Sequence, residues 1–147
     1  MKRILAAPLL AVSLLPVAST ADDQDVIDYR RHIMETLKSQ TAALGMIMSG
    51  AIPDDNVVAH IDNIALTAAT ALKSFEPKVE GGDAKPEVWS QWDDFSSRMN
   101  DFAAKTAAMS KTAHEQGKDE ALLQAMDALS CKQCHDVYRV KKPAAGQ

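Results

Sequence analysis

The sequence predicts an all-α protein folded as an antiparallel, up-down-up-down four-helix bundle. Four segments repeat apolar residues every three or four positions, which is the spacing of an amphipathic helix. No segment alternates apolar and polar residues as a half-buried strand does. Glycine or proline interrupts the chain between these segments. Four amphipathic helices of about 20 residues with mostly short loops are typical of such a bundle.

The four helices are predicted in order along the chain. The first covers about residues 25–49, and the second covers about residues 54–75. The third begins at Pro86, because proline is well tolerated in the first turn of a helix, and it stops before Gly117. The fourth is predicted as one continuous helix over about residues 118–141. Aromatic residues make up only 5% of the chain, which leaves room in the core for a buried group.

Residues 1–21 are predicted to be a secretory signal. A basic start is followed by an apolar stretch over residues 4–18, and small residues then precede the expected cleavage point. The alternative is an N-terminal membrane anchor, but the stretch is short, contains two prolines and is not followed by a stop-transfer pattern. We therefore expect an exported domain over residues 22–147 that keeps no membrane segment.

The charge of this domain argues against two classes of partner. The full chain has a net charge of −4. Removing Lys2 and Arg3 with the signal leaves 14 basic and 20 acidic side chains, a net charge of −6. An acidic domain of this kind is not expected to bind nucleic acid or an anionic membrane.

The chain's two cysteines and one of its histidines form the pattern Cys131-Lys132-Gln133-Cys134-His135. This is the C-x-x-C-H pattern of covalent haem attachment. On a helix, Cys134 lies roughly 60° and His135 roughly 40° around the axis from Cys131, so all three project from one side. The thiols can then bind the two vinyl groups of one porphyrin, while the imidazole binds iron as the proximal axial ligand.

Other uses of the two cysteines fit less well. A disulfide closing so short a loop would constrain the unfolded chain little. A zinc site needs about four ligands, and no second ligand cluster is present in the sequence. A thioredoxin-like pair needs a strand before it, which the sequence does not predict. The sequence therefore predicts one haem c, held by two thioethers.

Several motifs resemble the cytochrome c prime family, the class II c-type cytochromes. The attachment motif, continued by Tyr138 and Arg139, lies at the C-terminal end of a predicted four-helix chain, and not near the N-terminus. The resemblance also includes Tyr29-Arg30-Arg31, Met34-Glu35-Thr36-Leu37, Gly81-Gly82-Asp83, Lys85-Pro86-Glu87 and Trp89. It implies a left-handed antiparallel bundle with haem c on the C-terminal helix. It also implies a periplasmic bacterial protein that dimerises through its first two helices.

The resemblance places a first-helix residue on the distal side of the iron, and the matching residue is Met34. In one branch of the family a methionine here binds iron and the protein carries electrons. In the other branch the sixth position is open and binds nitric oxide or carbon monoxide. The sequence leaves both roles open, because methionine is also a common packing residue in helical cores.

Three further residues are candidate haem contacts. Arg30 falls on the inward face of the first helix, where a buried guanidinium needs an anion such as a haem propionate. The resemblance also brings Arg31 and Asp83 close to the haem edge, although all three side chains could instead face water. The match places Arg139 near the proximal imidazole, where it could raise the iron potential or cap the helix end.

Two functions follow from these residues. The first is one-electron transfer with periplasmic redox partners, and the alternative is reversible binding of nitric oxide or carbon monoxide for scavenging or sensing. An enzyme such as a peroxidase needs a distal acid–base group, and Met34, Leu37 and Thr41 on the inward face cannot supply one. We therefore expect a protein that is not an enzyme.

Overall fold

The computed structural model describes residues 21–141, and within them every regular element is a helix. Six α-helices form four rods, and the rods pack as the predicted antiparallel four-helix bundle. Most of the predicted signal, residues 1–21, lies outside the described residues. Within the described range, no helix is both long enough and apolar enough to cross a membrane.

The first rod is helix α1, Asp23–Met48. It begins two residues earlier than predicted, because Asp22 caps it. The Asp22 carboxylate accepts a hydrogen bond of 2.8 Å from the backbone N–H of Asp25, and the Asp25 carboxylate accepts one of 3.2 Å from the backbone N–H of Asp22. This reciprocal arrangement satisfies amide groups that a helix start otherwise leaves unpaired.

The second rod is helix α2, Val57–Ala71, which is extended at both ends by a single 3-10 turn. These turns cover Asp54–Asn56 and Leu72–Phe75, so the whole rod matches the prediction of residues 54–75.

The third rod consists of a short helix α3, Glu87–Ser90, and a long helix α4, Trp92–Glu115. They are separated at Gln91, whose φ of −120° and ψ of 43° are not helical. The apolar pattern continues through this break, so the sequence predicted a single helix.

The prediction of one continuous fourth helix over residues 118–141 is wrong. The rod contains helix α5, Lys118–Ala128, and helix α6, Cys131–Tyr138, with Leu129 and Ser130 between them. The backbone N–H of Cys131 donates to the carbonyl of Leu129 at 2.8 Å, which is a tight turn and not a helical bond. The chain is extended again directly after Tyr138.

The buried face of the fourth rod also differs from the predicted one. The apolar spacing of the sequence predicts that the core-facing residues are Leu122, Met126, Leu129, Val137 and Val140. Only Leu122 and Leu129 pack partly against the core, while Val137 and Val140 are exposed and Met126 is 83% exposed. The residues that are buried are Ala121, Ala125, Ala128 and Tyr138. Alanines permit close approach of α5 to α4.

The bundle is closely packed on three of its four sides. Helix α1 packs against α2, α2 against α4, and α4 against α5, while α6 packs against α3 and α4. Helix α1 approaches the α5–α6 rod much less closely. The core is therefore continuous across α1, α2 and α4, and the side between α1 and the fourth rod is open.

Candidate haem site

The attachment motif occupies most of the short helix α6. Cys131 is exposed, Cys134 is half-buried against the hydrophobic core, and both thiols are free of disulfide bonds. Burial raises the pKa of each thiol above its usual value. Both cysteines are therefore present as neutral thiols at neutral pH, on the same helix and three residues apart.

His135 on α6 is only partly covered by other residues. Partial burial lowers the pKa of its imidazole, and the neighbouring charge of Arg139 lowers it further. Among residues 21–141, no group makes a hydrogen bond with this imidazole. A neutral imidazole with a free nitrogen lone pair is the form that binds a metal.

A groove of about 320 Å³ lies between α1 and the fourth rod, and Cys131 is on its wall. Its α1 wall is formed by Thr41, Leu44, Gly45 and Met48, and its other wall by Ala125, Met126, Leu129, Ser130, Cys131 and Lys132. The lining is mainly apolar, and cofactor sites are commonly apolar clefts of this size or larger. The exposed side chain of Met126 and the partly buried side chain of Leu129 are found here. The residues present therefore fit a porphyrin bound through the motif.

The loop between α2 and α3 contacts both α1 and α6. Arg30 on α1 donates hydrogen bonds of 3.0 Å to the carbonyls of Val79 and Gly81 in this loop. At the end of α6, Arg139 lies 3.3 Å from the Asp83 carboxylate of the same loop.

Met34 is four residues beyond Arg30, and His135 is four residues before Arg139. Each is therefore about 6 Å, roughly one helical turn, from its contact with the loop. The first and fourth rods run antiparallel. The path from Arg30 to Met34 along α1 and the path from Arg139 to His135 along α6 therefore lead in the same direction along the bundle axis. Met34 is half-buried and packs against the core.

Arg30 is buried, as predicted, but its guanidinium does not depend on an anion. It is 4% exposed, and besides the two loop carbonyls it has aromatic rings beside it. The ring centroids of Phe75 and Trp89 lie 5.2 Å and 5.1 Å from its Cζ atom, within the range of cation–π attraction. Desolvation lowers the pKa of Arg30. A contact between Arg30 and a propionate stays a prediction.

The other two candidate haem contacts lie in different surroundings. Arg31 is exposed and forms an ion pair of 3.0 Å with Asp28 on the same helix. Asp83 is half-buried, its carboxylate is beside Arg139, and its backbone carbonyl accepts a hydrogen bond of 2.9 Å from the N–H of Val140. Their proposed proximity to a haem edge also stays a prediction.

Sequence reasoning did not identify two groups that hold α6 in place. Tyr138 is buried and donates a hydrogen bond to the Asp94 carboxylate of α4, which also binds Arg98 at 2.7 Å. Lys85 donates from Nζ to the carbonyl of Val137 at 3.0 Å. Tyr138 and Lys85 belong to the motifs that suggested the family, but nothing in the sequence shows that they contact α4 and α6.

The remaining histidines of residues 21–141 lie away from the motif in the sequence and have no shared site. His60 pairs with Gln40 at 2.7 Å, and His114 lies 3.0 Å from Asp62. His32 is 3.6 Å from Glu35 on the surface of α1. Within the part of the chain that the structure describes, no three His, Cys, Asp or Glu side chains group together as a metal site would require.

Comparison with known proteins identifies similar chains. The family model described as cytochrome c′ matches residues 25–139. Over 125 residues the chain is 30% identical to cytochrome c′ of Alcaligenes xylosoxydans xylosoxydans, covering 83% of this chain and 98% of that protein. It is 33% identical over 121 residues to cytochrome c-556 of Agrobacterium tumefaciens strain apple 185, covering 78% and 94%.

The fold is also similar to solved structures. A ferrous variant of cytochrome c prime from Alcaligenes xylosoxidans with bound nitric oxide superposes with a TM-score of 0.75 at 28% identity. The match covers 84% of this chain and all of that one. Cytochrome c prime from Shewanella frigidimarina gives a TM-score of 0.70 at 25% identity with the same coverage.

Proposed function

This chain belongs to the cytochrome c′ family, and we propose that it is an exported c-type cytochrome that transfers single electrons. In this proposal one haem c is attached through Cys131 and Cys134, and His135 is the proximal ligand. Haem iron, when bound, supplies a one-electron redox couple. The observation that carries the proposal is the pair of free thiols and the imidazole without a hydrogen-bond partner among residues 21–141 on α6, beside an apolar groove on the bundle's open side.

Met34 is the proposed sixth ligand. It is half-buried on α1, about one turn from Arg30, which contacts the same loop that Arg139 contacts one turn from His135 on α6. A thioether at that position would close the distal side to small molecules. Electron transfer then needs only a small structural change between oxidation states, which suits a carrier with no substrate pocket.

Reversible binding of nitric oxide or carbon monoxide is the alternative function. This alternative is supported by solved structures of similar fold that contain nitric oxide. In this case Met34 would pack beside the iron without binding it. The inward face of α1 offers no acid–base group for chemistry on a bound ligand, and we therefore propose no enzymatic activity.

The proposed location is the bacterial periplasm, after removal of residues 1–21, with soluble redox proteins as partners. A homodimer through the first two helices is also proposed. Leu66 on α2 is 71% exposed, and Met46 on α1 is 52% exposed, so both helices present apolar side chains to solvent. Analytical ultracentrifugation tests this, since Leu66→Glu should convert a dimer to a monomer. A dimer that persists, or a monomeric wild type, would contradict it.

Voltammetry of the purified holoprotein tests the proposed function. A reversible one-electron wave that is unchanged under carbon monoxide supports an electron carrier. A wave that shifts under carbon monoxide favours the gas-binding alternative. Absence of a covalently bound haem after expression with the haem-attachment machinery would contradict both.

A further inference from the structure

The loop of residues 79–85 contacts both helices that carry the proposed iron ligands. At one end, the guanidinium of Arg30 on α1 forks between the carbonyls of Val79 and Gly81, with both hydrogen bonds at 3.0 Å. The rings of Phe75 and Trp89 make cation–π contacts with this guanidinium. Such a bidentate arrangement fixes orientation as well as distance.

Close packing supports this end of the loop. Gly81 and Gly82 have φ angles of +121° and +65° and pass directly over Ile27 of α1. A Cβ atom at Gly82 would lie 2.9 Å from Cγ2 of Ile27, so there is no space for a side chain. The loop backbone is therefore packed closely against the first turns of α1.

The other end of the loop is joined to the end of α6. The backbone N–H of Lys85 donates to the carbonyl of Tyr138, and the N–H of Val140 donates to the carbonyl of Asp83, both at 2.9 Å. The ammonium group of Lys85 donates to the carbonyls of Val137 and Asp136 at 3.0 Å and 3.4 Å. These are carbonyls of the last turn, where a cation is favourable.

We infer that the 79–85 loop is a positioning element that sets the separation of Met34 and His135, with Arg30 and Lys85 as its two positioning residues. Helices α1 and α6 have few direct contacts, and the loop forms hydrogen bonds with both of them. Each proposed ligand is one turn from its loop contact. A change at either end of the loop therefore alters how closely the distal residue approaches the iron. This inference rests on the proposed function.

Lys85→Met tests the α6 end, with Lys85→Arg as the conservative variant that keeps donors for the carbonyls. The matched control is Lys118→Met. Lys118 lies at the start of α5, and the substitution removes its ion pair of 2.6 Å with Asp54. For Lys85→Met, amide hydrogen exchange over the last turn of α6 and over residues 27–34 of α1 should rise about two- to fivefold. Its high-spin fraction should rise as well, because Met34 approaches the iron less closely. Lys85→Arg should stay close to wild type, and Lys118→Met should leave both helices and the spectrum unchanged.

Arg30→Lys tests the α1 end, because one ammonium group cannot fork between two carbonyls as the guanidinium does. The high-spin fraction of Arg30→Lys should change in the same direction as that of Lys85→Met. A spectral change in Arg30→Lys alone would indicate a direct contact of Arg30 with haem and overturn the inference. Unchanged exchange in α1 for Lys85→Met would overturn it too. A wild-type protein that binds no haem would contradict the proposed function but not this inference. Amide hydrogen exchange of the purified variants would still show whether α1 and α6 are coupled through the loop.

Discussion

The phenol of Tyr138 on α6 donates a hydrogen bond to the carboxylate of Asp94 on α4. Tyr138 is only 3% exposed, and its ring packs edge-on against Phe95 with centroids 5.1 Å apart. The same carboxylate binds Arg98. This contact holds α6 against the core. It lies three residues after His135, whereas the break at Leu129 and Ser130 precedes α6.

Tyr138→Phe should therefore destabilise the protein in a pH-dependent way. Burial, reinforced by the hydrogen bond to Asp94, raises the pKa of Tyr138 to about 12. A raised pKa in the folded state means that the contribution is fully present below the unfolded pKa of about 10, and that it is lost as pH rises to about 12. We expect the variant to be about 1–2 kcal/mol less stable at pH 7, and this difference to shrink between pH 10 and 12.

Urea unfolding at several pH values measures this difference. Tyr29→Phe is the matched control, because Tyr29 is 55% exposed and its hydroxyl makes no hydrogen bond with residues 21–141. The control should match wild type at every pH. A difference for Tyr138→Phe that stays constant or grows above pH 10 would contradict the assignment.

Cys131→Ser and Cys134→Ser should each leave the haem attached by one thioether, because in the proposed attachment the two thiols bind separate vinyl groups of one porphyrin. Intact mass under denaturing conditions should still show haem on each single variant. The double variant should show none. Covalent haem on the double variant, or none on either single variant, would argue against the proposed attachment.

Met34→Ala should convert a low-spin ferric spectrum to a high-spin one, because the sixth ligand is lost. Carbon monoxide should then bind to the reduced variant. Met46→Ala serves as the control, since Met46 lies on the same helix but is 52% exposed. Low-spin spectra in both variants would exclude Met34 as a ligand and leave it as a packing residue.

Gly82→Ala should cost more stability than Gly50→Ala. Both glycines have positive φ angles, +65° and +74°, which cost an alanine about 1 kcal/mol. Only Gly82 also faces Ile27 at 2.9 Å, while nothing lies within 4 Å of a Cβ at Gly50. Thermal unfolding should therefore show at least about 1 kcal/mol more destabilisation for Gly82→Ala. Equal losses of stability in the two variants would show that the close approach of Gly82 to Ile27 adds no destabilisation.

The bundle was predictable because its information is local. Apolar spacing, Pro86 and Gly117 define three of the four rods, and Phe95 and Met109, which follow the apolar spacing of the third rod, are buried. The fourth rod was predicted less well. Its break at Leu129 and Ser130 does not change the local apolar spacing, and periodicity alone does not show that alanines face α4 while Met126 lines a groove.

The motif residues were equally predictable, since the C-x-x-C-H spacing is itself the signal. The contacts around them were not. Arg30 was expected to need an anion, but it is satisfied by carbonyls 49 and 51 residues away and by two aromatic rings. Lys85 contacts α6 from 52 residues away. Such contacts depend on how the loop is folded across two helices, which no local pattern records.

The optical spectrum of the purified holoprotein, oxidised and reduced, before and after addition of carbon monoxide, tests the central claim most directly. We predict a low-spin ferric spectrum with a methionine–iron charge-transfer band at the red edge, and no change in the reduced spectrum with carbon monoxide. That result would mean that His135 and Met34 both bind iron in an electron carrier. A high-spin spectrum that shifts with carbon monoxide would contradict the claim and make gas binding the leading function.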